Sequence, residues 1–349
     1  MNTMKAVGYQ SCLPITDAKA LEDIVVDVPV ATGRDLLVKV SAIAVNPVDF
    51  KIRQNVAPEL GQHKVIGWDA VGEVVAAGEL AKGFKPGDLV YYAGDLNRQG
   101  SNAEYQLVDE RLVGNKPKSL TSAEAAALPL TSITAWELLF EHFAIAEQND
   151  ESLSANELAT APVVLIIGAA GGVGSMLIQL IKTLTHAKVV ATASRESSAA
   201  WVKELGADYV INHRQPLAEQ LQTLGIEQVT HIASLTNTQD YFGQYPEILA
   251  PFGKVALIDD PEKPLDIMKL KPKSQSLHIE FMFARSMFNA KDIAKQSQLL
   301  NRVSDLIEQG KIKTTVGKHI GIINAENLVR AHAELESGTA IGKLVLAGF

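Results

Sequence analysis

Val163-Val164-Leu165-Ile166-Ile167-Gly168-Ala169-Ala170-Gly171-Gly172-Val173-Gly174-Ser175 is the stretch on which the fold turns. Its first five residues form a continuous apolar run, as in a strand buried on both faces. A Gly-rich turn follows, and then a helix with Leu177, Leu180, Ile181 and Leu184 on one face. Strand, glycine turn and helix in this order make a dinucleotide fingerprint. The glycines permit a tight turn, close approach of backbone to a pyrophosphate, and close helix–strand packing. The helix N-terminus adds free N–H groups and the positive end of its dipole. The spacing is G-x-x-G-x-x-G rather than G-x-G-x-x-G, so a tight turn with nothing bound is the competing reading. The Gly-Lys-Ser/Thr ending of a phosphate-cradling NTPase loop is absent.

Downstream, Val189–Ala193 reads as a second strand, Ala199–Leu205 as a helix stopped by Gly206, and Tyr209–Asn212 as a third strand. Such alternation specifies βαβ units and a doubly wound parallel sheet. Upstream, Leu36–Val45, Ala70–Ala76 and Leu89–Tyr92 read as short strands separated by turns such as Lys85-Pro86-Gly87-Asp88, the pattern of a barrel-like all-β unit. Thr121 and Glu124 fit a capping box, a further helical stretch includes Trp136 to Phe143, and Glu147–Thr160 reads as a polar surface excursion. Phe281–Phe283 reads as an edge strand of the parallel sheet. Asn289 is placed to cap a helix that turns Ile293, Leu300, Val303 and Ile307 inward and stops at Gly310, and Lys343–Leu346 reads as a closing strand.

Composition bounds the rest. At 349 residues, with 47% hydrophobic and 21% charged, the chain is sized for two folded domains. Its 32 basic and 40 acidic residues leave a net charge of −8, which argues against nucleic acid or an anionic membrane as the main partner. Cys12 is the one cysteine, so an intrachain disulfide and a multi-thiolate zinc site are both excluded. Met1 to Gln10 has no apolar core of a secretory signal, and the apolar runs are too short to span a bilayer. A soluble, cytoplasmic protein is expected.

The second strand end bears on cofactor choice. An NAD site places Asp or Glu about 20 residues beyond the glycines, to bond the ribose 2′-OH. Here that position reads Ser194-Arg195. No carboxylate repels a 2′-phosphate there, and Arg195 can pair with one. NADP(H) is the expected cofactor, with a solvated surface arginine as the alternative.

These residues, with others, resemble the medium-chain dehydrogenase/reductase superfamily, in particular its zinc-independent NADPH:quinone oxidoreductase branch, to which zeta-crystallin belongs. Such chains are often named zinc-type alcohol dehydrogenase-like. The resemblance runs through Asn46-Pro47-Val48-Asp49, Gly67-Trp68-Asp69-Ala70-Val71-Gly72, Lys85-Pro86-Gly87-Asp88, Ala103-Glu104-Tyr105, Pro129–Trp136, the Gly-rich turn and Gly342-Lys343. It implies a GroES-like β-barrel catalytic domain from residues 1–130 and 289–349, and a Rossmann NADP(H)-binding domain from 131–288. It also implies a homodimer and a small carbonyl or quinone substrate, with no nucleic acid or membrane partner.

The resemblance carries over residue by residue. Zinc-dependent members use a Cys in the segment matching Ala44–Asp49, a His in the segment matching Gly67-Trp68-Asp69, and a Cys matching Leu130. Here the first segment has no Cys, Trp68 replaces the His and Leu130 replaces the second Cys, so no zinc is expected. Asn46, Asp49 and Lys51 match positions facing the nicotinamide and are the candidate catalytic residues. Lys51 departs from the Tyr of typical quinone reductases, and a solvated loop lysine, a turn role for Asn46 and a packing or capping role for Asp69 stand as alternatives. The implied cofactor residues are Thr134, Gly168, Ala169, Ala170, Gly171, Gly172, Val173, Gly174, Ser194, Arg195, His213 and Asn237. Hydride reduction of a quinone or enone needs alignment and an oxyanion donor rather than a metal. An alkenal/enone reductase and a catalytically weak NADPH-binding sensor are the competing functions.

Overall fold

A computed structural model describes residues 2–148 and 160–349, so most of the excursion read at Glu147–Thr160 lies outside the described residues. The chain separates into two units, Met1–Ile133 with Phe283–Phe349, and Thr134–Met282.

The first unit opens with β1 (Thr3–Tyr9), β2 (Glu22–Asp27), β3 (Asp35–Val45), β4 (Lys64–Val65), β5 (Ala70–Ala77), β6 (Leu89–Tyr92), β7 (Tyr105–Asp109) and β8 (Val113–Asn115). The turn at Lys85–Asp88 closes with the Asp88 N–H donating to the Lys85 carbonyl at 3.1 Å, and Gly87 supplies its φ of +96°. Thr121 caps the short helix Ser122–Ala126, and its reciprocal bond with Glu124 completes the capping box. The helix Pro129–Trp136 then continues as a π-helical segment, Glu137–His142, which the spacing of apolar residues does not reveal.

The second unit contains β9 (Val163–Ile167), β10 (Lys188–Thr192), β11 (Tyr209–Ile211), β12 (Val229–Ser234), β13 (Leu249–Leu257) and β14 (Ser276–Ile279). Their order across the sheet is β11-β10-β9-β12-β13-β14, and every pairing is parallel. Strand addition therefore reverses between β9 and β12, the switch point at which doubly wound sheets bind ligands. Leu165, Ile167, Val190, Ile232 and Val255 fill the core of this sheet together with Leu221 and Tyr245. The helix Gly172–Leu184 buries Leu177, Leu180, Ile181 and Leu184, as its apolar stripe requires.

The tail returns to the first unit as β15 (Val316–Gly321) and β16 (Lys343–Ala347). A seven-stranded sheet runs β15-β16-β3-β5-β6-β8, with β7 also on β3, and β2-β1-β4 form a second sheet. Leu344 lies opposite Val45 in the antiparallel β16–β3 register, which brings Lys343 beside Asn46.

Two expected elements fall elsewhere. Phe281–Phe283 is a turn after β14, not a strand. Phe283 is buried and meets the Trp68 ring edge-on at 6.2 Å, so packing claims Phe283 rather than the sheet ladder. Asn289 caps no helix start. It adopts φ +44° after the short helix Ala284–Met287, its N–H reaches the Ser286 carbonyl, and the next helix begins at Lys295 after Ala294. A left-handed Asn suits the end of a helix as well as its beginning, and the Arg285–Asp292 ion pair holds the turns between. Among the described residues no helix is long and apolar enough to cross a membrane.

Candidate functional site

In the second unit the Gly-rich turn leaves the carboxyl end of β9. Gly168 has φ +78°, its N–H donates to Thr192 Oγ1 at 3.2 Å, and a Cβ there would lie 2.8 Å from Thr236 Cγ2. A Cβ on Gly174 would lie 2.4 Å from the Ala169 carbonyl oxygen, so helix and turn touch backbone to backbone. Gly171 differs: the nearest atom to its Cβ position is 3.5 Å away. The fold itself leaves room there for a side chain, so packing does not account for this glycine. Ala169 is buried, and Ala170, Gly172 and Val173 are half-buried around the helix start. No side chain caps that start, which leaves its first N–H groups for a phosphate.

Arg195 and His213 follow β10 and β11, the two strands next to β9 on one side. Arg195 is exposed, and its backbone N–H donates to Ser198 Oγ at the start of the helix Glu196–Glu204. Ser194 and His213 are half-buried. Partial burial lowers the His213 imidazole, and the Arg214 and Arg195 guanidiniums lower it further, so a neutral imidazole shares this corner with two cations. The Tyr241 ring stands edge-on to His213 at 6.3 Å. Trp201 Nε1 donates to Ser175 Oγ at 2.8 Å, which joins the Arg195 helix to the glycine helix.

Asn237 lies in the loop after β12 with φ +50°. The next residue, Thr238, gives its N–H to Asp259 Oδ2 at 2.8 Å and its hydroxyl to Asp259 Oδ1. Thr238 Oγ1 also pairs with Ser234 Oγ, and Ser234 Oγ with Tyr245 Oη, at 2.7 Å each. Asp259 thus fixes the loop that carries Asn237, and no motif in the sequence marked it. Thr134 is buried on the helix Pro129–Trp136 where the second unit begins.

In the first unit Asn46 and Asp49 meet in a buried polar hub with Asp69 and Lys343. The Asn46 N–H donates to Asp49 Oδ2 at 2.7 Å, and Asn46 Nδ2 donates to Asp69 Oδ2 at 2.8 Å and to the Trp68 carbonyl at 3.1 Å. Asp69 Oδ1 accepts the Leu130 N–H at 2.8 Å, at the start of the helix Pro129–Trp136. Lys343 Nζ donates to Asp69 Oδ2 at 2.9 Å, to the Val45 carbonyl at 3.0 Å and to Asn46 Oδ1. Burial pushes the Asp49 carboxyl up to about 7. The Asn46 N–H and the Lys343 ammonium pull it down, and the neighbouring Asp69 charge adds to the rise. Asp49 Oδ1 is buried without a hydrogen-bond partner. Burial also pushes Asp69 up, against the pull of Lys343, Asn46 and Leu130. Lys51 is half-buried on the helix Pro47–Asn55, and its carbonyl accepts Asn55 Nδ2 at 2.8 Å. Lys343, read in sequence as the start of a strand, is the residue of this hub that was missed.

The hub does not fit a zinc ion. Its side chains are Asn46, Asp49, Asp69 and Lys343, with a backbone carbonyl from Trp68 and a backbone N–H from Leu130, where zinc needs thiolate or imidazole. Among the described residues no three His, Cys, Asp or Glu side chains are grouped as a metal would require.

Comparison with known proteins agrees with this architecture. An alcohol dehydrogenase GroES-like domain matches residues 32–118, and a zinc-binding dehydrogenase family matches residues 205–346. A zinc-type alcohol dehydrogenase-like protein of Staphylococcus epidermidis is 38% identical over 98% of this chain and 99% of its own. The 2-methylene-furan-3-one reductase of Solanum lycopersicum is 31% identical over 98% of this chain and 79% of its own. Among solved structures, the quinone oxidoreductase of Coxiella burnetii superposes with TM-score 0.79 at 25% identity, covering all of both chains. Both halves of the expected fold, a GroES-like β unit and a Rossmann sheet, are present.

Proposed function

This chain belongs to the medium-chain dehydrogenase/reductase superfamily, a family of oxidoreductases that use a nicotinamide cofactor, and we propose that it is an NADPH-dependent reductase of quinones or α,β-unsaturated carbonyls that works without catalytic zinc. The observation that carries the cofactor choice is the pair of guanidiniums, Arg195 and Arg214, that flank His213 at the ends of β10 and β11. A 2′-phosphate is dianionic near neutral pH and favours such a corner, whereas a bare 2′-hydroxyl gains nothing from it. Gly168 to Gly174 would hold the pyrophosphate at the helix start, with Asn237 and Thr134 in reach of the nicotinamide half by resemblance to the family. When bound, the reduced nicotinamide supplies a hydride.

The chain's own residues then bind, orient and manage one proton. Quinones and enones accept hydride at a conjugated carbon and leave an oxyanion that needs a donor. Oxidation of an unactivated alcohol would need the Lewis acid that Trp68 and Leu130 do not support. Asp49 is the proposed proton reserve, since burial keeps a proton on its carboxyl near neutral pH; at 1% exposure it would pass that proton on through a group that reaches the substrate. Asn46 is committed through both ends of its amide, so it acts by holding Asp49 and Asp69. Lys51 is the second candidate donor, on the same helix as Asp49.

A homodimer is part of the proposal. Ile279 is 70% exposed on the edge strand β14, and Phe281 just beyond it is 48% exposed. Light scattering at micromolar protein should give twice the chain mass, and a monomer mass would remove this part. The lone exposed Cys12 suits a reducing cytoplasm.

The test pairs mutation with a substrate panel. Arg195→Ala should weaken NADPH binding by about tenfold or more and leave NADH unchanged, as loss of one charge-assisted contact predicts. Equal effects on the two cofactors would remove Arg195 from the 2′-phosphate site. Turnover of 1,4-benzoquinone or of an enal should separate the quinone and enone readings, the latter favoured by the tomato relative. Tight NADPH binding with no turnover of either would point to the sensor.

A further inference from the structure

The hub in the first unit gathers segments that are far apart in sequence, and the object at its centre is an anion. Asp69 is fully buried. Its two oxygens accept from Leu130 N–H, Asn46 Nδ2 and Lys343 Nζ at 2.8, 2.8 and 2.9 Å. A metal centre needs lone pairs converging on a point, and here N–H hydrogens converge on a carboxylate. The one cation in the hub is Lys343, 4% exposed. Its three hydrogens match three acceptors, Asp69 Oδ2, the Val45 carbonyl and Asn46 Oδ1.

We propose that the Lys343 ammonium is the built-in cation of this lobe, taking the charge-balancing and organising role that a divalent metal has in a metal-dependent lobe. Lys343 is a positioning residue. By taking Asn46 Oδ1 it turns Asn46 Nδ2 toward Asp69 and Trp68. By reaching the Val45 carbonyl it fastens the start of β16 to the end of β3. The three Lys343 hydrogens go to Asp69, Val45 and Asn46 and none to Asp49, whose Oδ1 has no hydrogen-bond partner, so Asp49 is the buried carboxyl left without a direct cation and retains a proton. That proton is the one assigned to reduction above. The inference rests on the metal-free reading, but its test reads stability rather than turnover, so the two can fail separately.

The experiment compares thermal unfolding of the wild type, Lys343→Met and the double variant Asp69→Asn/Lys343→Met. Removing one partner strands a buried charge, whereas removing both leaves neutral groups that cost little to bury. In the double variant the Asn46 amide can flip its oxygen toward the introduced amide. Lys343→Met should lower Tm by on the order of 10 °C, and the double variant should recover at least about half of that loss. If Lys343→Met yields no folded protein, recovery of folded protein in the double variant supports the inference and no recovery overturns it. The wild type should purify without zinc, and one equivalent of added Zn²⁺ should leave its Tm unchanged. A Tm for Lys343→Met within about 2 °C of wild type would overturn it. So would a double variant as unstable as the single, or stoichiometric zinc in the wild type.

Discussion

Gly174→Ala separates helix propensity from the packing that the dinucleotide turn requires. On propensity alone, alanine inside a helix gains about 1 kcal/mol over glycine. The geometry opposes it. The new Cβ would lie 2.4, 2.6 and 2.7 Å from the oxygen, Cα and carbonyl carbon of Ala169. Ordinary contacts begin near 3.4 Å, so the helix start must move by about 1 Å against backbone that cannot rotate away. Overpacking of this kind costs about 1–3 kcal/mol, which outweighs the propensity gain at most of its range. A net loss of about 1 kcal/mol corresponds to a fall in Tm of roughly 2–4 °C. The larger effect falls on binding, because the N–H groups that face the pyrophosphate move with the helix. NADPH affinity should drop by on the order of tenfold or more. Thermal unfolding and NADPH fluorescence titration of one protein batch measure both. A variant with raised Tm and unchanged NADPH affinity would refute the close-packing role of Gly174.

Three further outcomes are expected. Asp49→Asn should cut reductive kcat by on the order of 100-fold, and wild-type kcat should fall above about pH 7 as the Asp49 proton is lost; a flat pH–rate profile would exclude Asp49 as the proton reserve. Burial holds the His332 imidazole down to about 3, reinforced by the Arg53 guanidinium, and both ring nitrogens lack hydrogen-bond partners. The unfolded chain therefore takes up a proton below about pH 6.5 that the folded chain refuses, so the contribution of His332 to stability falls from pH 6.5 toward 3 and is constant above, opposite in sign to that of the raised Asp49 carboxyl. His332→Leu should flatten that acid limb in denaturant titrations, and an unchanged limb would count against it. Lys51→Ala should lower kcat/KM or weaken cofactor binding, and unchanged kinetics would make Lys51 a surface residue.

The Rossmann unit was legible because its signals are local. An apolar run such as Val163–Ile167 and the glycines behind it lie within a dozen residues, and β9 has the bounds that the run predicts. Thr121 and Glu124 were readable for the same reason. Phe281–Phe283 was misread because aromatic residues suit a strand and a buried turn alike, and only the contact with Trp68 decides between them. Asn289 was misread because asparagine both starts and ends helices. The candidate site divides in the same way. Counting from the glycines leads to Ser194 and Arg195 as candidates, whereas His213 is reached only through the family resemblance. The Lys343–Asp69 pair spans 274 positions, and the Asp259 bond to Thr238 depends on which strands are neighbours. Neither leaves a local trace. The same is true of the raised Asp49 carboxyl, since burial is a property of the assembled lobe.

Titration of chelator-treated protein with NADPH and with NADH, followed by nucleotide fluorescence, bears most directly on the proposed activity. Two charge-assisted contacts to the 2′-phosphate predict NADPH binding on the order of 100-fold tighter than NADH, in protein free of metal. Equal affinities would contradict the 2′-phosphate corner, and no NADPH binding at all would make the Gly168–Gly174 turn a purely structural crossing between strand and helix.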